Sequence, residues 1–268
     1  MKRPKFFFYN CNILSELFVT PKSIAMKILM SVLFSFLLLQ GFSQTPALVL
    51  NDPNVRERKV SGPFHAVSVS QGISLYLVKG STEQVAVSVS DPTIEENLIT
   101  EVENGELKVY FRNKEKIFKN LGKKNKVTLK VYVSCTRIER LKATSGAHVH
   151  MPETLVVGNL AVAINSGAMI HGSIQATALD VDQSSGAIVE LNGKAASLSL
   201  DLSSGAMFKG IDLVTDQCNA KASSGATIRV TVNNDLSAHA NSGGSIHYKG
   251  NGSIKDIKVN SGGIVKRI

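Results

Sequence analysis

Three histidines and three aspartates have the types and spacings that chemistry would need. His148 and His150 stand two residues apart, and His171 follows 21 residues after His150. Three imidazoles gathered in one patch suit a transition metal such as Zn²⁺. Asp180 and Asp182 are also two apart, and Asp201 lies 19 residues beyond Asp182. Converging carboxylates can hold Ca²⁺, or act as the acid and base of a polysaccharide-cleaving enzyme. Whether either set converges depends on the elements that carry it.

Those elements are set by an internal repeat. A Ser-Gly pair followed by Ala or Gly recurs seven times, with glycines at Gly146, Gly167, Gly186, Gly205, Gly225, Gly243 and Gly262. The spacings are 21, 19, 19, 20, 18 and 19 residues. Seven, five and three residues before each Gly, and three after it, the positions are mostly apolar, with polar residues between them. Leu198, Leu200, Leu202 and Phe208 around Gly205 are one example. That alternation on both sides of a small-residue corner predicts strand, corner, strand. One such unit cannot bury its apolar face alone, but a stack can. The fold class is therefore all-β: a parallel β-helix of about seven short coils, right-handed by the usual sense of parallel crossovers. The glycines serve the corners, where the backbone leaves the range open to other residues. The small polar side chains beside them are expected to hydrogen-bond up and down the stack. Seven alike serines at corners are structural, not nucleophiles, since a nucleophilic Ser needs its own neighbouring base.

The repeat also places the chemistry. Four after each Gly come His150, His171, Glu190, Lys209, Arg229, His247 and Lys266, one outward column. Four before it come Lys142, Ala163, Asp182, Asp201, Lys221, His239 and Lys258. His150 and His171 then stack on adjacent coils, with His148 nearby. No column offers the carboxylate that usually orients a metal-binding imidazole, which counts against a metal there. Asp182 and Asp201 fall about 5 Å apart, and pairing of Asp201 with Lys221 is the plain reading of that column. Neither a cofactor nor a catalytic residue is expected. Ca²⁺ or a transition metal would have to use one of these two sets.

Residues 52–140 are β-rich but do not repeat. Alternating segments run over 64–70, 72–79, 84–90, 106–111 and 127–133. Glu103-Asn104-Gly105-Glu106 signals a hairpin, and Asp91-Pro92-Thr93 opens a single helical turn. This part is expected to cap the first coil of the solenoid at 141–268.

The segments SGPFHAVSVSQGISLYLVKG (61–80), ITEVENGELKVYF (99–111) and VTLKVYVSC (127–135), with the first Ser-Gly-Ala coils, carry a resemblance. The chain resembles the bacterial family called putative auto-transporter adhesin, head GIN domain, over nearly all of residues 52–268. Gly72-Ile73-Ser74 stands where that family has Gly-Ile-Asn. The resemblance implies an exported β-helical protein of Bacteroidetes type, with no catalytic residues to carry over.

The front of the chain agrees with export. Lys27, the apolar run Ile28–Leu39 and the Gly41-Phe42-Ser43 site make residues 26–43 a secretory signal. Residues 1–25 are then an extension ahead of a start at Met26, and residues 44–51 a linker. The net charge of +9 first suggests nucleic acid. Without residues 1–44, 25 basic residues face 20 acidic ones, leaving +5. Arg112 to Lys130 alone holds eight basic residues against Glu115. That run is a solvated loop or a contact for an acidic polymer or phospholipid head groups, and no nucleic-acid motif surrounds it. Of the three cysteines, Cys11 falls in the leader, and Cys218 takes a place in a leucine column as a small buried hydrophobe. The function expected is an exported, non-enzymatic envelope or surface protein, adhesin-like, in the periplasm, on the outer surface or outside the cell. It would present a polar face to a glycan, an envelope component or a partner, with no nucleic acid and no transmembrane anchor. A carbohydrate-active β-helix enzyme using the stacked aspartates is the alternative. Pairing of an open last coil with a second copy is a further expectation.

Overall fold

The structure, a computed structural model, describes residue 52 and residues 54–112 and 129–268. The expected extension at 1–25, the expected signal at 26–43, the expected linker at 44–51 and most of the basic run lie outside the described residues. Among the described residues, sixteen strands join in one continuous hydrogen-bonded system. They are β1 (Val55–Arg58), β2 (Ala66–Val69), β3 (Ser74–Lys79), β4 (Gln84–Val89), β5 (Leu98–Glu103), β6 (Glu106–Phe111), β7 (Leu129–Cys135) and β8 (Arg140–Ala143). After them come β9 (His148–Ile164), β10 (Met169–Gln183), β11 (Ile188–Leu202), β12 (Met207–Ala222), β13 (Thr227–Ala240), β14 (Ser245–Lys249), β15 (Ser253–Val259) and β16 (Ile264–Arg267). The helical turn α1 is Pro92–Glu95, where Asp91-Pro92-Thr93 places it.

From β8 to β16 every pairing is parallel, each coil lying on the next, so the chain is a parallel β-solenoid. The apolar positions of the repeat face inward. Leu160, Leu179, Leu198, Cys218 and Leu236 form one buried column, and Val149, Ile170, Val189, Phe208, Ile228 and Ile246 another. Each fully buried aliphatic or aromatic side chain contributes roughly 1.5–3 kcal/mol. Cys135 and Cys218 are buried and free, and burial pushes their thiols up to about 11 and about 12.

The corner has one geometry seven times over. The Ser takes φ between 46° and 55° and the Gly between 68° and 75°. Two consecutive left-handed residues make a type I′ turn. It is closed by a bond from the residue after Gly back to the residue before Ser, from 2.8 to 3.2 Å long, as in Ala147 N–H to Thr144 C=O. Serine is as left-handed as glycine here, at a cost glycine does not carry. The side-chain ladder expected at the corners is largely absent. Thr144 hydroxyl bonds Asn165, and Ser223 Oγ donates to Leu202 O at 3.3 Å. The ladder is instead backbone. The Gly N–H of one coil donates to the Ser C=O of the next, from Gly146→Ser166 through Gly243→Ser261, at 3.0–3.2 Å.

The following residue explains the Ala/Gly choice. Ala147, Ala168, Ala187, Ala206 and Ala226 are all buried. At Gly244 and Gly263 a Cβ would fall 2.2 and 2.4 Å from the carbonyl oxygens of Ala222 and Ala240 in the coil before. Variation in coil length is absorbed away from the corner. The register shifts lie at Gly172/Ile174, Glu190/Gly193, Gly210/Val214, Thr215/Gln217 and Leu236/Ser237, none of them within a corner turn.

The N-terminal strands continue the stack. Gln71 (φ 65°) and Gly72 (φ 71°) form an eighth left-handed corner, and Gly72 N–H donates to Ser145 C=O at 3.1 Å. β2 lies parallel on β8, and β3 parallel on β9. Beyond them β6 lies parallel on β2 and β7 on β3, one further coil. Only then does the pattern turn antiparallel, with β5 on β6, and β4 on β7 followed by β1 on β4. The β5–β6 turn is the hairpin signalled at Asn104-Gly105 (φ 51° and 74°). At the other end Ile254, Ile257, Val259, Ile264 and Ile268 are exposed.

Two glycine variants separate strain from crowding. A Cβ at Gly205 would meet nothing within 4 Å, so Gly205→Ala carries only left-handed strain, about 1 kcal/mol. Gly244→Ala meets backbone and is expected to lower the urea midpoint further than Gly205→Ala does. An unchanged midpoint in both variants would contradict the corner geometry.

Candidate functional site

Outward positions between the buried columns form two strips. In the first, the register runs Tyr132, Tyr76, His150, His171, Glu190, Lys209, Arg229, His247, Lys266. The second runs Lys108, Ser68, Lys142, Ala163, Asp182, Asp201, Lys221, His239, Lys258. Both columns predicted from the repeat are present in the predicted order. Both extend two coils further toward the N-terminus.

The histidines stack rather than converge. Tyr132 lies on Tyr76 with ring centroids 5.2 Å apart, Tyr76 on His150 at 5.0 Å, and His148 stands beside His150 at 6.5 Å. His171 turns the other way, with Nδ1 3.8 Å from Glu190, which also receives Lys209 at 3.3 Å. Stacked faces hold the imidazole nitrogens apart instead of aiming them at one point. Among the described residues no three His, Cys, Asp or Glu side chains are placed to hold a metal ion. Partial burial lowers the pKa of His150, and the nearby His148 and His171 lower it further. The stack is closed from outside by Asp52, whose carboxylate accepts from the Tyr132 hydroxyl at 3.1 Å and lies 3.9 Å from Lys130. Burial, with Asp52 as neighbour, pushes the Tyr132 hydroxyl up to about 12.

The aspartates sit side by side on the second strip. Asp182 and Asp201 are direct register partners, and Asp180 faces Ser199. All three are exposed on an open strand surface. Lys221 is next to Asp201 in register, yet no ion pair within 4 Å joins them among the described residues. Opposite charges do meet at the C-terminal end, where Asp256 accepts from His239 at 2.8 Å and from Lys258 at 3.1 Å. Those bonds hold the Asp256 carboxyl below its usual range.

Tyr76 and Tyr132 were not legible as part of the histidine column, although a signal exists for Tyr76. It lies four after Gly72, and Val67, Val69 and Leu75 fill the apolar places of the repeat around that Gly. The Ser-Gln-Gly-Ile spelling and the 74-residue gap to Gly146 conceal it. Gln183 was also unmarked. It occupies an apolar column, fully buried, and its Nε2 donates to the carbonyls of Ala187 (2.6 Å) and Met207 (2.8 Å).

With this geometry, residues 63–252 match the family described as "Putative auto-transporter adhesin, head GIN domain". The chain belongs to that family. Solved structures share the fold. One titled a putative adhesin, from Bacteroides fragilis, is 18% identical with a TM-score of 0.65, over 80% of this chain and 96% of that one. A putative adhesin from Parabacteroides merdae is 17% identical with a TM-score of 0.61, over 81% and 97%. A structure from Parabacteroides distasonis, titled a putative lipid binding protein, is 22% identical with a TM-score of 0.59, over 81% and 97%. No curated protein matches the chain. Among the described residues no helix is long and apolar enough to cross a membrane.

The lowered His150 pKa has a sign. The folded state favours the neutral ring, so the unfolded chain binds more protons as pH falls past 6.5. Stability is therefore full above the unfolded value and declines as pH drops through it toward the folded one. In a ¹H–¹⁵N titration His150 is expected to show a midpoint below 6.5, and His150→Phe should flatten the fall of Tm with acid. A midpoint at or above 6.5 would contradict the buried stack.

Proposed function

We propose that this chain is an exported, non-enzymatic, adhesin-like surface protein that offers the outer strips of its solenoid to an envelope polymer, a surface or a partner protein. The observation that carries the reading is the register itself. Every outward position is fixed by the coil above and below, so His171, Glu190, Lys209 and Arg229 stand in line at intervals of about 4.8 Å. Such a row suits an extended ligand that repeats its own groups better than it suits a single small substrate. Membership of an adhesin-named family supports the reading, as do adhesin-titled structures of the same fold. So does the secretory signal at residues 26–43.

The open placement of the carboxylates favours display over catalysis. A polysaccharide-cleaving pair needs one acid held protonated near neutral pH, and burial against apolar groups is the usual means. Asp182 and Asp201 lie exposed on a strand face.

Two readouts test the proposal. In intact cells of the source bacterium, added protease or antibody should reach the protein. The purified chain should release no reducing ends from a panel of envelope and plant polysaccharides. Reducing-end release that disappears in an Asp182→Asn/Asp201→Asn variant would overturn the non-enzymatic reading. Detection only after cell lysis would overturn surface display.

A further inference from the structure

Among the described residues, four charges on the second strip and the column beside it make no ion pair. Arg140 and Lys142 point outward from β8 and pair in register with Ala161 and Ala163 of β9. Those alanines pair in turn with Asp180 and Asp182 of β10. All six residues are exposed. Two cations thus face two anions across a strip of methyl groups. Neighbouring strands are about 4.8 Å apart, so the opposing groups stand about 9.6 Å apart at their backbones. None of the four makes an ion pair within 4 Å among the described residues. On the first strip, Glu190 and Lys209 are only one coil apart and do pair, at 3.3 Å.

The same residues line a groove of about 210 Å³. That is below the roughly 300–1,000 Å³ of drug-sized sites, which confines a ligand to a small group. Its floor is Ala161 and Ala163, and its walls carry opposite charge. Glu106 also lines it, on the far side of Arg140, separated from that residue by Ala66 in the register. A carboxylate there repels an anion approaching from that side.

We propose that this groove binds a zwitterion of the phosphoethanolamine type. The phosphate lies on Arg140 and Lys142, the ammonium on Asp180 and Asp182, and the methylenes on Ala161 and Ala163. The spacing suits a short zwitterion: cations and anions stand two strands, about 9.6 Å, apart at their backbones, and the long Arg140 and Lys142 side chains adjust to its length. The chemistry fits as well: a planar guanidinium beside an ammonium suits phosphate oxygens, and paired carboxylates suit a primary ammonium with three donors. Ligand charge also relieves the repulsion within each like-charged pair, Arg140 with Lys142 and Asp180 with Asp182.

Calorimetric titration of phosphoethanolamine into the full chain tests this. Saturable binding is expected, weakening as salt is added. Ethanolamine alone and inorganic phosphate alone should each bind at least tenfold more weakly. Asp180→Asn/Asp182→Asn and Arg140→Gln/Lys142→Gln should each weaken binding at least tenfold, and Ala163→Leu, which fills the floor, should abolish it. These positions are exposed, and an unchanged circular dichroism spectrum checks the fold. Cosedimentation with phosphatidylethanolamine vesicles, against phosphatidylglycerol vesicles, separates the sources. Retention lost in the double aspartate variant assigns a lipid headgroup, whereas soluble binding without retention assigns a free or glycan-borne group. Absence of saturable binding, equal binding of inorganic phosphate alone, or full binding by Ala163→Leu would overturn the site. Such a failure leaves the surface-display reading intact, because that one is judged by exposure on cells and by reducing ends.

Discussion

At each corner of the solenoid the glycine amide of one coil meets the serine carbonyl of the next, and the bond recurs at 3.0–3.2 Å from Gly72 to Gly243. It can form only if both residues of the corner are left-handed, because that conformation turns the amide and carbonyl along the stack. The requirement propagates in both directions along the chain. Glycine is needed at the second place for its φ near 70°, and a small residue at the next, which is pressed under the neighbouring coil. With the corner fixed, the strand entering it and the strand leaving it hold their register from coil to coil. Most insertions fall on the far side, and one register shift, at Leu236/Ser237, lies in a strand that enters a corner.

That constraint makes the outer surface a one-dimensional display. A side chain's nearest neighbours stand one coil above and below it, so the order of residues down a column sets which charges come within reach of each other. Glu190 beside Lys209 is neutralised within the protein. Asp180 and Asp182, separated from Arg140 and Lys142 by alanine, make no ion pair among the described residues. Aromatic residues in the same kind of column become a stack, from Tyr132 through Tyr76 to His150, and burial in that stack lowers the histidine's pKa.

The solenoid was legible in the sequence because the corner spells itself out at Gly146 and six times after. The two outward columns followed from counting four residues to either side of it. What escaped was whatever does not use that spelling. Gln71 reaches the same φ as the serines, so the Ser70-Gln71-Gly72 corner is geometrically the same, but it reads as a different motif. β6 and β7 form a coil with 17 residues between them in the sequence and no Ser-Gly-Ala motif there, so no local signal marks it as part of the stack. The serine hydroxyls suggested a side-chain ladder, whereas the backbone already makes the ladder there. Three imidazoles at the right spacing suggested a metal. Their spacing fixes where the rings start, and only packing against Tyr76 on one side and Glu190 on the other fixes where they point.

Native-state hydrogen exchange at the corner glycines tests the central claim most directly. A shared backbone ladder predicts that the amides of Gly146, Gly167, Gly186 and Gly205 exchange only through opening of the stack, with protection close to that of the core strands. Gly262, in the final coil, donates to no such carbonyl among the described residues and is predicted to exchange as an exposed turn does. If Gly167, Gly186 and Gly205 exchange as fast as Gly262, the corners are independent surface turns and the account is wrong.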